Sequence, residues 1–590
     1  MAGSEDLDKL FGDRKIPKRV MFKRLAKYLK PEWMYFLIAS ILVILNVGCN
    51  IILPLIAKEI TKTLEEAGSH EFWSILVFVI ASLVITVLGQ LFLYIQSMTL
   101  QKSGQRIVYR LRMEVFTHIE NMSQNQFNEM PVGALVTRVA SYTQAVSELF
   151  TTILVNLVKN LLTIIFAYII LTTLSWKIAL VMLGFVTVVF ITSFIFSKII
   201  HKLFKEERAA HSDLNTFLSE NLSGMKLTQT FNQQKRKYRE FDGKSGKVKS
   251  IVVKELIAFG IYRPFITFLY LSSVAVTFML SLEFGIIGST CYAIYLYLTR
   301  FFEPVQHMAD QLNGIQKAIT SCERLFNLMD VEPEVLDVED AIEVDHFEGH
   351  IEFKNVWFCY NPDEWILKDV SFEIKPKETC AFVGATGAGK TTILSLIVRN
   401  YEIQKGQILI DGIDIKKIKI TSLRKGIGQM LQDVFLFSGT IKENITLHDD
   451  SFSDEEVLDA CKYVNADKFV NDSEKGLQEE IIENGENYSQ GQRQLLSFAR
   501  TIIHAPQILI LDEATANIDT ETEVLIQDSL EKMKSVGTML VVAHRLSTVQ
   551  KADQIIVLQH GEVIEKGTHQ SLLKQKGHYY KLYELQYQDN

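Results

Sequence analysis

The sequence predicts a protein of two parts: an all-α membrane domain of six spanning helices, followed by a soluble α/β domain. Three observations predict this division. The 590 residues exceed the usual size of one domain. The chain combines 48% hydrophobic residues and a mean hydropathy of +0.13 with 22% charged residues. Long apolar runs fill the first half, whereas strand-like and helical patterns alternate from about residue 351.

Each of six apolar runs is long enough to cross a hydrocarbon core, which takes about 20 helical residues. The runs occupy residues 34–57, 73–97, 149–174, 178–200, 256–282 and 284–305. Lipid offers no hydrogen-bond partner to a backbone, so each run is expected to be helical. Buried helices of a large soluble protein are the less favoured alternative.

Basic residues predict the orientation of these spans. Nine Lys or Arg precede the first span, whereas residues 58–72 hold two Lys and four Glu. The positive-inside rule therefore predicts a multi-pass protein of the cell membrane with both termini in the cytoplasm. The charged N-terminal residues do not resemble a cleaved signal peptide.

Two long connections, 98–148 and 201–255, fall on the predicted cytoplasmic side and keep a helical apolar rhythm. We expect the spanning helices to continue through them as stalks that project beyond the bilayer. A separate helical hairpin is the alternative.

Polar side chains within the spans have two interpretations: interhelical hydrogen bonds or contacts in a substrate cavity. They are Asn46, Asn50, Gln90, Gln96, Asn156, Lys159, Asn160, Arg263 and Arg300. Lys159 and Arg300 are the stronger cavity candidates if they lie deep, whereas near an interface they could snorkel. The aromatic residues of the sixth span suit apolar or cationic guests, or packing against lipid.

Composition excludes some functions. A net charge of −8 provides no electrostatic basis for nucleic-acid binding. The six cysteines lack the spacing of a metal site, and we interpret them as reduced thiols. Residues 1–322 are assigned to the membrane domain, 323–350 to an acidic linker and 351–590 to the soluble domain.

The segment GATGAGKTT, residues 384–392, has the spacing of a phosphate-binding loop between the strand-like TCAFV and a helical run. Its glycines let backbone amides converge on phosphate at a helix N-terminus. Lys390 is predicted to reach the β- and γ-phosphates of ATP, and Thr391 to bind Mg²⁺. The predicted nucleotide-binding residues of this loop are Gly384, Thr386, Gly387, Ala388, Gly389, Lys390, Thr391 and Thr392.

Two adjacent carboxylates end the apolar segment ILILDEA, residues 508–514. Asp512 is a candidate for holding Mg²⁺, and Glu513 for polarising the water that attacks the γ-phosphate. Such a doublet alone is also common as a helix cap. Together with the phosphate loop it predicts an ATPase.

Over nearly its full length the chain resembles half-transporters of the ATP-binding cassette (ABC) exporter family, with ATP and Mg²⁺ as cofactors. The resemblance implies ATP-driven export of hydrophobic or amphipathic compounds, of the multidrug type, by alternating access. It also assigns four further residues. Tyr360 stacks on adenine, Gln432 joins the Mg²⁺ site to the membrane domain, His544 contacts the γ-phosphate and Asp519 lies in a loop crossing between paired domains. Residues 123–139 and 217–231 resemble the two intracellular coupling regions.

The segment YSQGQ, residues 488–492, is similar to the family signature Leu-Ser-Gly-Gly-Gln, which caps the ATP of the opposite subunit. Ser489, Gly491 and Gln492 are retained, whereas Tyr488 replaces Leu and Gln490 replaces the first Gly. A Cβ at residue 490 is expected to restrict the backbone and crowd the nucleotide. The preceding IENG also lacks an Arg that is usual in the family.

An altered cap beside an otherwise complete ATP site favours a heterodimer, in which a different half-transporter supplies a normal signature to Glu513. A homodimer that tolerates the substitution is the alternative. For the function, a lipid flippase, a peptide exporter and an ATP-gated channel or regulator are the alternatives. No short motif in the sequence specifies the substrate.

Overall fold

The computed structural model describes residues 16–66, 72–286, 288–431, 434–512, 520–542 and 549–588. The chain divides into two compact units. The first contains the described residues up to Glu120 together with Met130–Val331, and the second contains Asn121–Glu129 together with the residues from Glu332 onward. The segment Asn121–Glu129 thus belongs to the second unit although helices of the first unit flank it. The predicted boundaries at residues 322 and 350 stay predictions.

Long helices form the first unit. They are α1 (Lys18–Leu29), α2 (Trp33–Glu66), α3 (Phe72–Glu120), α5 (Val132–Leu174), α6 (Trp176–Ser223), α7 (Met225–Thr230), α8 (Gln234–Glu283) and α9 (Gly288–Met329), while α4 (Gln124–Asn128) falls in the second unit. A 3₁₀ turn, Lys30–Glu32, joins α1 to α2. Two π-helical turns, Arg138–Tyr142 and Leu149–Ile153, interrupt α5.

Five helices among the described residues are long and apolar enough to cross a membrane: Arg19–Glu66, α3, α5, α6 and α8. They contain the first five predicted spans. The sixth predicted span, 284–305, falls mainly in α9, which is not among the five, so its crossing stays a prediction. Its first residues precede that helix: α8 ends at Glu283, Gly285 has a φ of 61° and α9 begins at Gly288.

The spanning helices continue well beyond the predicted spans. Helix α3 has 49 residues and α8 has 50. At a rise of about 1.5 Å per residue each is about 75 Å long, more than twice the thickness of a hydrocarbon core. The long connections are therefore extensions of spanning helices rather than a separate hairpin.

Side chains from α2, α5, α6 and α9 form an apolar core in the first unit, which includes Val47, Leu171, Ala179 and Ile294. One predicted polar residue joins two helices here, since the buried Asn46 donates from Nδ2 to the Gly89 carbonyl at 2.7 Å. Three aromatic residues of α9 also serve packing. Tyr297, Phe301 and Phe302 are all buried, and the Tyr297 hydroxyl donates to the Ile51 carbonyl.

Two main sheets and a short pair form the second unit. An antiparallel sheet has the order β2-β1-β4-β5 and consists of β1 (Ile351–Cys359), β2 (Trp365–Ile374), β4 (Lys405–Ile410) and β5 (Ile413–Asp414). A larger sheet has the order β12-β11-β3-β10-β9-β6. Its strands are β3 (Thr379–Val383), β6 (Ile427–Met430), β9 (Ile508–Asp512), β10 (Thr538–Val542), β11 (Gln554–Gln559) and β12 (Glu562–Gly567). Strands β7 (Gly439–Thr440) and β8 (Glu480–Ile481) form the pair.

Helices complete the described part of the second unit. They are α10 (Lys390–Ile397), α11 (Ile420–Lys425), α12 (Ile441–Thr446), α13 (Asp454–Tyr463), α14 (Asp467–Asp472), α15 (Gln490–Ile503), α16 (Thr520–Met533), α17 (His569–Gln575) and α18 (His578–Gln588). Strand β3 is parallel to β10 and β11, and β9 is parallel to β10 and β6. The carboxyl ends of these strands therefore share one edge, where open α/β sheets bind their ligands.

A buried carboxylate in the first unit allows a test of the fold. Glu32 is 1% exposed, and its carboxylate lies 3.1 Å from Arg110 and 3.6 Å from Arg106 of α3. Glu32→Ala removes this carboxylate, but both guanidinium groups are about half exposed and regain water, so we expect the free energy of unfolding to fall by about 1.5 kcal/mol. The measurement is thermal unfolding of the purified protein in detergent.

The control for this prediction is Asp330→Ala. Asp330 pairs with Arg24 at 2.7 Å, but both side chains are more than a third exposed, at 46% and 38%. Exposed pairs contribute at most about 1 kcal/mol. Equal losses of melting temperature in the two variants would contradict the distinction between the two pairs.

Candidate functional site

The turn from β3 to α10, residues 384–389, contains two positions that only glycine can occupy. Gly384 has a φ of 157°, and a Cβ there would lie 2.3 Å from the Leu558 carbonyl oxygen. Gly389 has a φ of 99°, and a Cβ would lie 2.6 Å from Leu367 Cδ2. The turn therefore closes tightly and presents backbone amides at the N-terminus of α10, a favourable arrangement for an anion.

Lys390 is the first residue of α10, and its side chain folds back against the turn formed by residues 384–389. Its Nζ donates to the carbonyl oxygens of Gly384 at 2.8 Å and Ala385 at 3.0 Å. The side chain is 7% exposed, and burial lowers the pKa of the ammonium, an effect that the Asp512 carboxylate opposes. A desolvated cation beside converging amides fits the phosphates of a nucleotide.

Two predicted Mg²⁺ ligands lie in the described part of the chain. Thr391 is the exposed second residue of α10, and Asp512 ends β9 in register with Val542 of β10. The described residues contain no group of three or more His, Cys, Asp or Glu side chains that could hold a metal. Thr391 and Asp512 are the described residues that would hold a divalent cation here, together with phosphate oxygens of the nucleotide.

Four predicted site residues, Gln432, Glu513, Asp519 and His544, lie outside the described residues. The strands that precede three of them are described. Strand β6 ends at Met430, β9 at Asp512 and β10 at Val542, and these are successive neighbours of β3 in the sheet. The strands that precede Gln432, Glu513 and His544 therefore end at the sheet edge where the phosphate loop begins.

Tyr360 is held beside α10 with part of its ring open. Its hydroxyl lies 3.0 Å from that of Thr392, and its ring is 41% exposed. The rings of Phe358 and Tyr401 contact it edge-on, with centroid distances of 4.9 and 5.1 Å. An aromatic ring fixed in this way suits stacking on a planar base.

Comparison with known proteins decides the family. The profile of the ABC transporter transmembrane region matches residues 36–296, and the ABC transporter profile matches residues 367–516. The multidrug resistance-like ATP-binding protein MdlB of Buchnera aphidicola is 32% identical, over 96% of this chain and 98% of that protein. An ATP-dependent lipid A-core flippase of Syntrophus aciditrophicus is 30% identical, over 97% and 95%. The chain belongs to the ABC transporter family.

A solved structure extends this result to the type of transporter. The chain is similar to a bacterial Atm1-family ABC exporter with ATP bound, with a TM-score of 0.79 and 26% identity over 95% of this chain and 98% of that one. The protein is an ABC exporter subunit: a multi-pass membrane protein whose second unit binds ATP and couples its hydrolysis to transport. The predicted family, fold class and enzyme class are confirmed.

The exporter contains a short helix, α4, that interacts with the nucleotide-binding unit. Ser123 caps α4 and bonds through Oγ to the Glu334 carboxylate at 3.1 Å, and Gln126 Nε2 donates to the Glu332 carbonyl at 2.8 Å. Asn128 contacts the Tyr401 hydroxyl, whose pKa is raised mainly by burial. Sequence reasoning placed a coupling region here but missed Tyr401 and Glu334, since no local motif marks their contacts with a segment so distant in sequence.

The signature segment of the exporter begins α15. Ser489 is its N-cap: Oγ accepts from the Gln492 amide at 3.2 Å, and the Ser489 amide donates to Gln492 Oε1 at 2.9 Å. Gly491 is buried and Gln490 is exposed as the first helical residue. Tyr488 packs 6.1 Å from the Phe469 ring, and burial raises the pKa of its hydroxyl.

The expectation that a Cβ at residue 490 restricts the backbone was wrong. Gln490 is not among the described residues with positive φ, and it opens a regular helix. Any L-residue can adopt this conformation, so the substitution changes the chemistry of an exposed surface rather than the shape of the turn.

Sequence reasoning also missed Arg500 of α15. Its guanidinium donates to the carbonyl oxygens of Asn444 at 2.8 Å and Phe435 at 3.1 Å, and burial lowers its pKa. Asn444 in turn bonds both backbone groups of Phe437. These bonds position the segment that follows Gln432. A basic residue in an apolar stretch of the helix was the available signal.

Lys390→Met tests the phosphate-loop geometry. A ligand at 100 times its Kd stabilises a protein by about 2.7 kcal/mol. We expect ATP to raise the melting temperature of the wild-type exporter and to have no such effect on the variant, because the variant lacks the cation that faces the phosphates.

Lys425→Met is the matched control, because Lys425 is an exposed lysine of α11 in the same unit. It should keep the full effect of ATP. Without ATP, Lys390→Met should change the melting temperature little. Removing the ammonium relieves its desolvation, which opposes folding at neutral pH, but leaves two carbonyl groups unpaired. An unchanged ATP effect in Lys390→Met would contradict the site.

Proposed function

We propose that this exporter moves hydrophobic or amphipathic compounds out across the cell membrane by alternating access, as one half of a dimer with two unequal ATP sites. One observation carries this proposal. The same chain joins a complete phosphate loop, with Lys390 buried against it, to a signature segment altered at Tyr488 and Gln490. Both termini are proposed to be cytoplasmic.

Each site residue has a proposed role at the nucleotide. Tyr360 stacks on adenine, the amides of the loop and Lys390 bind the phosphates, and Thr391, Asp512 and Gln432 hold Mg²⁺. Magnesium, when bound, neutralises charge on the phosphate oxygens. Glu513 accepts a proton from the attacking water. The oxygen of that water bonds to the γ-phosphorus while the bond between the γ-phosphorus and the bridging oxygen breaks, which releases ADP. His544 contacts the γ-phosphate.

The remaining residues act toward the partner subunit. Ser489, Gly491 and Gln492 are proposed to contact the ATP that the partner binds, and Asp519 to lie at the crossing between the two nucleotide-binding domains. ATP favours the closed pair only through its higher affinity for that state. Segment Asn121–Glu129, which contacts Glu332, Glu334 and Tyr401, is proposed to transmit closure to α3 and α5.

The proposed substrate class draws on the relatives. One is described as a lipid A-core flippase and another as multidrug resistance-like. An amphipathic compound, with an apolar part and a polar head, is the chemistry that both descriptions share.

The proposed inequality of the ATP sites draws on Gln490. A helix N-terminus favours an anion, and glycine there lets the phosphates approach the backbone closely. Gln490 adds an exposed side chain at this point. In a heterodimer the altered cap faces only the ATP that the partner binds. The ATP site that contains Glu513 is then capped by the normal signature of the partner. In a homodimer both sites would carry the altered cap.

Glu513→Gln tests the proposed base. A positioned general base contributes about 10²- to 10⁴-fold to a rate, so we expect ATP turnover to fall at least about 100-fold while ATP binding is retained. Glu521→Gln, an exposed residue in the first turn of α16, is the matched control and should retain turnover. Near wild-type turnover in Glu513→Gln would refute the assignment.

Co-purification and Gln490→Gly together test the heterodimer. We expect a tagged chain, isolated from its native membrane, to retain a different half-transporter in equal amount, identifiable by mass spectrometry. In that pair Gln490→Gly should change ATP turnover by less than about twofold, because Glu513 uses the partner's signature. Gln490→Ala separates loss of the polar side chain from loss of the Cβ.

A homodimer predicts a different pair of results. The chain would then retain only copies of itself, and Gln490→Gly would restore the consensus at both sites and raise turnover severalfold. That outcome would leave the export function in place and remove the inequality of the sites.

A further inference from the structure

A cavity with a mainly apolar surface and several polar side chains opens between α5 and α9 of the membrane unit. It encloses about 430 Å³, within the range of small-molecule sites. Its polar lining is Thr152, Asn156, Lys159, Asn160 and Gln311. The lining thus combines one ammonium group, three side-chain amides and one hydroxyl, and it contains no carboxylate among the described residues.

The cavity lies near the predicted cytoplasmic ends of two spans: Thr152 and Lys159 fall in the first half of span 149–174, and Gln311 follows the predicted end of the sixth span at residue 305. Helices α5 and α9 approach closely at its lower end, where a Cβ on Gly314 would lie 3.1 Å from Ile153 Cδ1. Lys159 is six residues further along α5, a rise of about 9 Å. It falls inside the predicted span 149–174, nearer to the predicted cytoplasmic end than to Leu174. The cavity is therefore open to a compound that arrives from the cytoplasmic side of the bilayer.

Apart from the Thr152 hydroxyl, which lies 3.5 Å from that of Thr151, the polar side chains of this cavity lack partners within the described part of the chain. No ion pair or hydrogen bond joins the Lys159 ammonium, or the side-chain amides of Asn156 and Asn160, to another described residue. Gln311 Oε1 is buried and accepts no hydrogen bond from a described residue. Polar groups and a charge without partners at the edge of a hydrocarbon core are costly, so their clustering around one space indicates a ligand.

Other polar and aromatic residues of the same unit behave differently. Asn46, on α2, already donates to the Gly89 carbonyl. Tyr297, Phe301 and Phe302 of α9, which at the level of sequence suited cationic guests, are buried in the helix packing. Tyr292 and Tyr295 of α9 are at least partly exposed, but no described aromatic residue lines the cavity, so its lining favours an anion over a cation.

We propose that this cavity binds the anionic head group of an amphipathic substrate, a phosphate or a similar oxyanion that also carries an O–H or N–H donor. Lys159 supplies the charge, the amides of Asn156 and Asn160 supply donors, and Gln311 Oε1 accepts from the head group. The inference rests on the proposed export function and names its substrate class.

The test compares two probes with the same apolar chain and opposite charge. The exporter, with any partner subunit that it retains, is placed in phosphatidylcholine nanodiscs, and ATP turnover is titrated with decyl phosphate and with decyltrimethylammonium. We expect decyl phosphate to change turnover at a half-maximal concentration at least fivefold below that of the cation.

Three variants locate the effect at the cavity. Lys159→Met should raise the half-maximal concentration of decyl phosphate at least fivefold, and Lys159→Arg should keep it near the wild-type value because the charge is retained. Asn156→Asp places a carboxylate one turn from Lys159 and should weaken the response to the anion and strengthen that to the cation. Lys198→Met, an exposed lysine of α6 outside the cavity, should change neither response.

A further titration distinguishes a bilayer lipid from a soluble anion. A Lys159-dependent response to phosphatidic acid in the nanodisc, without one to decyl phosphate, identifies a lipid head group, and the reverse identifies a soluble amphiphile. Equal responses to both charges, or a decyl phosphate response unaltered in Lys159→Met and Asn156→Asp, would overturn the inference. Absence of ATP turnover in the wild-type protein would instead count against the proposed export function.

Discussion

The nucleotide-binding unit depends on one constraint, the burial of the Lys390 ammonium against the carbonyl groups of Gly384 and Ala385. This geometry needs a turn too tight for a Cβ at Gly384 or Gly389, and a rigid strand immediately before it. Strand β3 meets the second need because parallel neighbours lie on both sides and its residues 379–382 are buried. The sheet order then brings the ends of β6, β9 and β10 to the same edge.

The two units differ in whether their polar side chains have hydrogen-bond partners. In the nucleotide-binding unit, the partly buried Arg500 and the buried Asn444 are bonded to backbone groups and position loops. In the membrane unit, Asn46 follows the same rule, but the groups around Lys159 do not. Because lipid cannot supply hydrogen bonds, an unsatisfied cluster there is the more informative observation.

The altered signature illustrates the difference between conformation and chemistry. Ser489 and Gln492 retain a complete capping box, so α15 begins as a regular helix in spite of the substitution at Gln490. A proposed loss of function at one ATP site must therefore come from the exposed side chain itself. The effect of the Gln490 side chain depends on contacts with a second subunit, because the fold of this chain is unchanged by that substitution.

The sequence by itself determined the two-part architecture, the first five spans and the phosphate loop, because hydropathy, periodicity and a Gly-rich turn are local properties. It also marked Lys159, Asn156 and Asn160 as polar residues in a span, but left two interpretations open. Only the tertiary structure decided between packing and cavity, bringing Gln311 from more than 150 residues away to the same space. It likewise joined Tyr401 to Asn128, because such contacts depend on how distant segments pack and leave no local pattern.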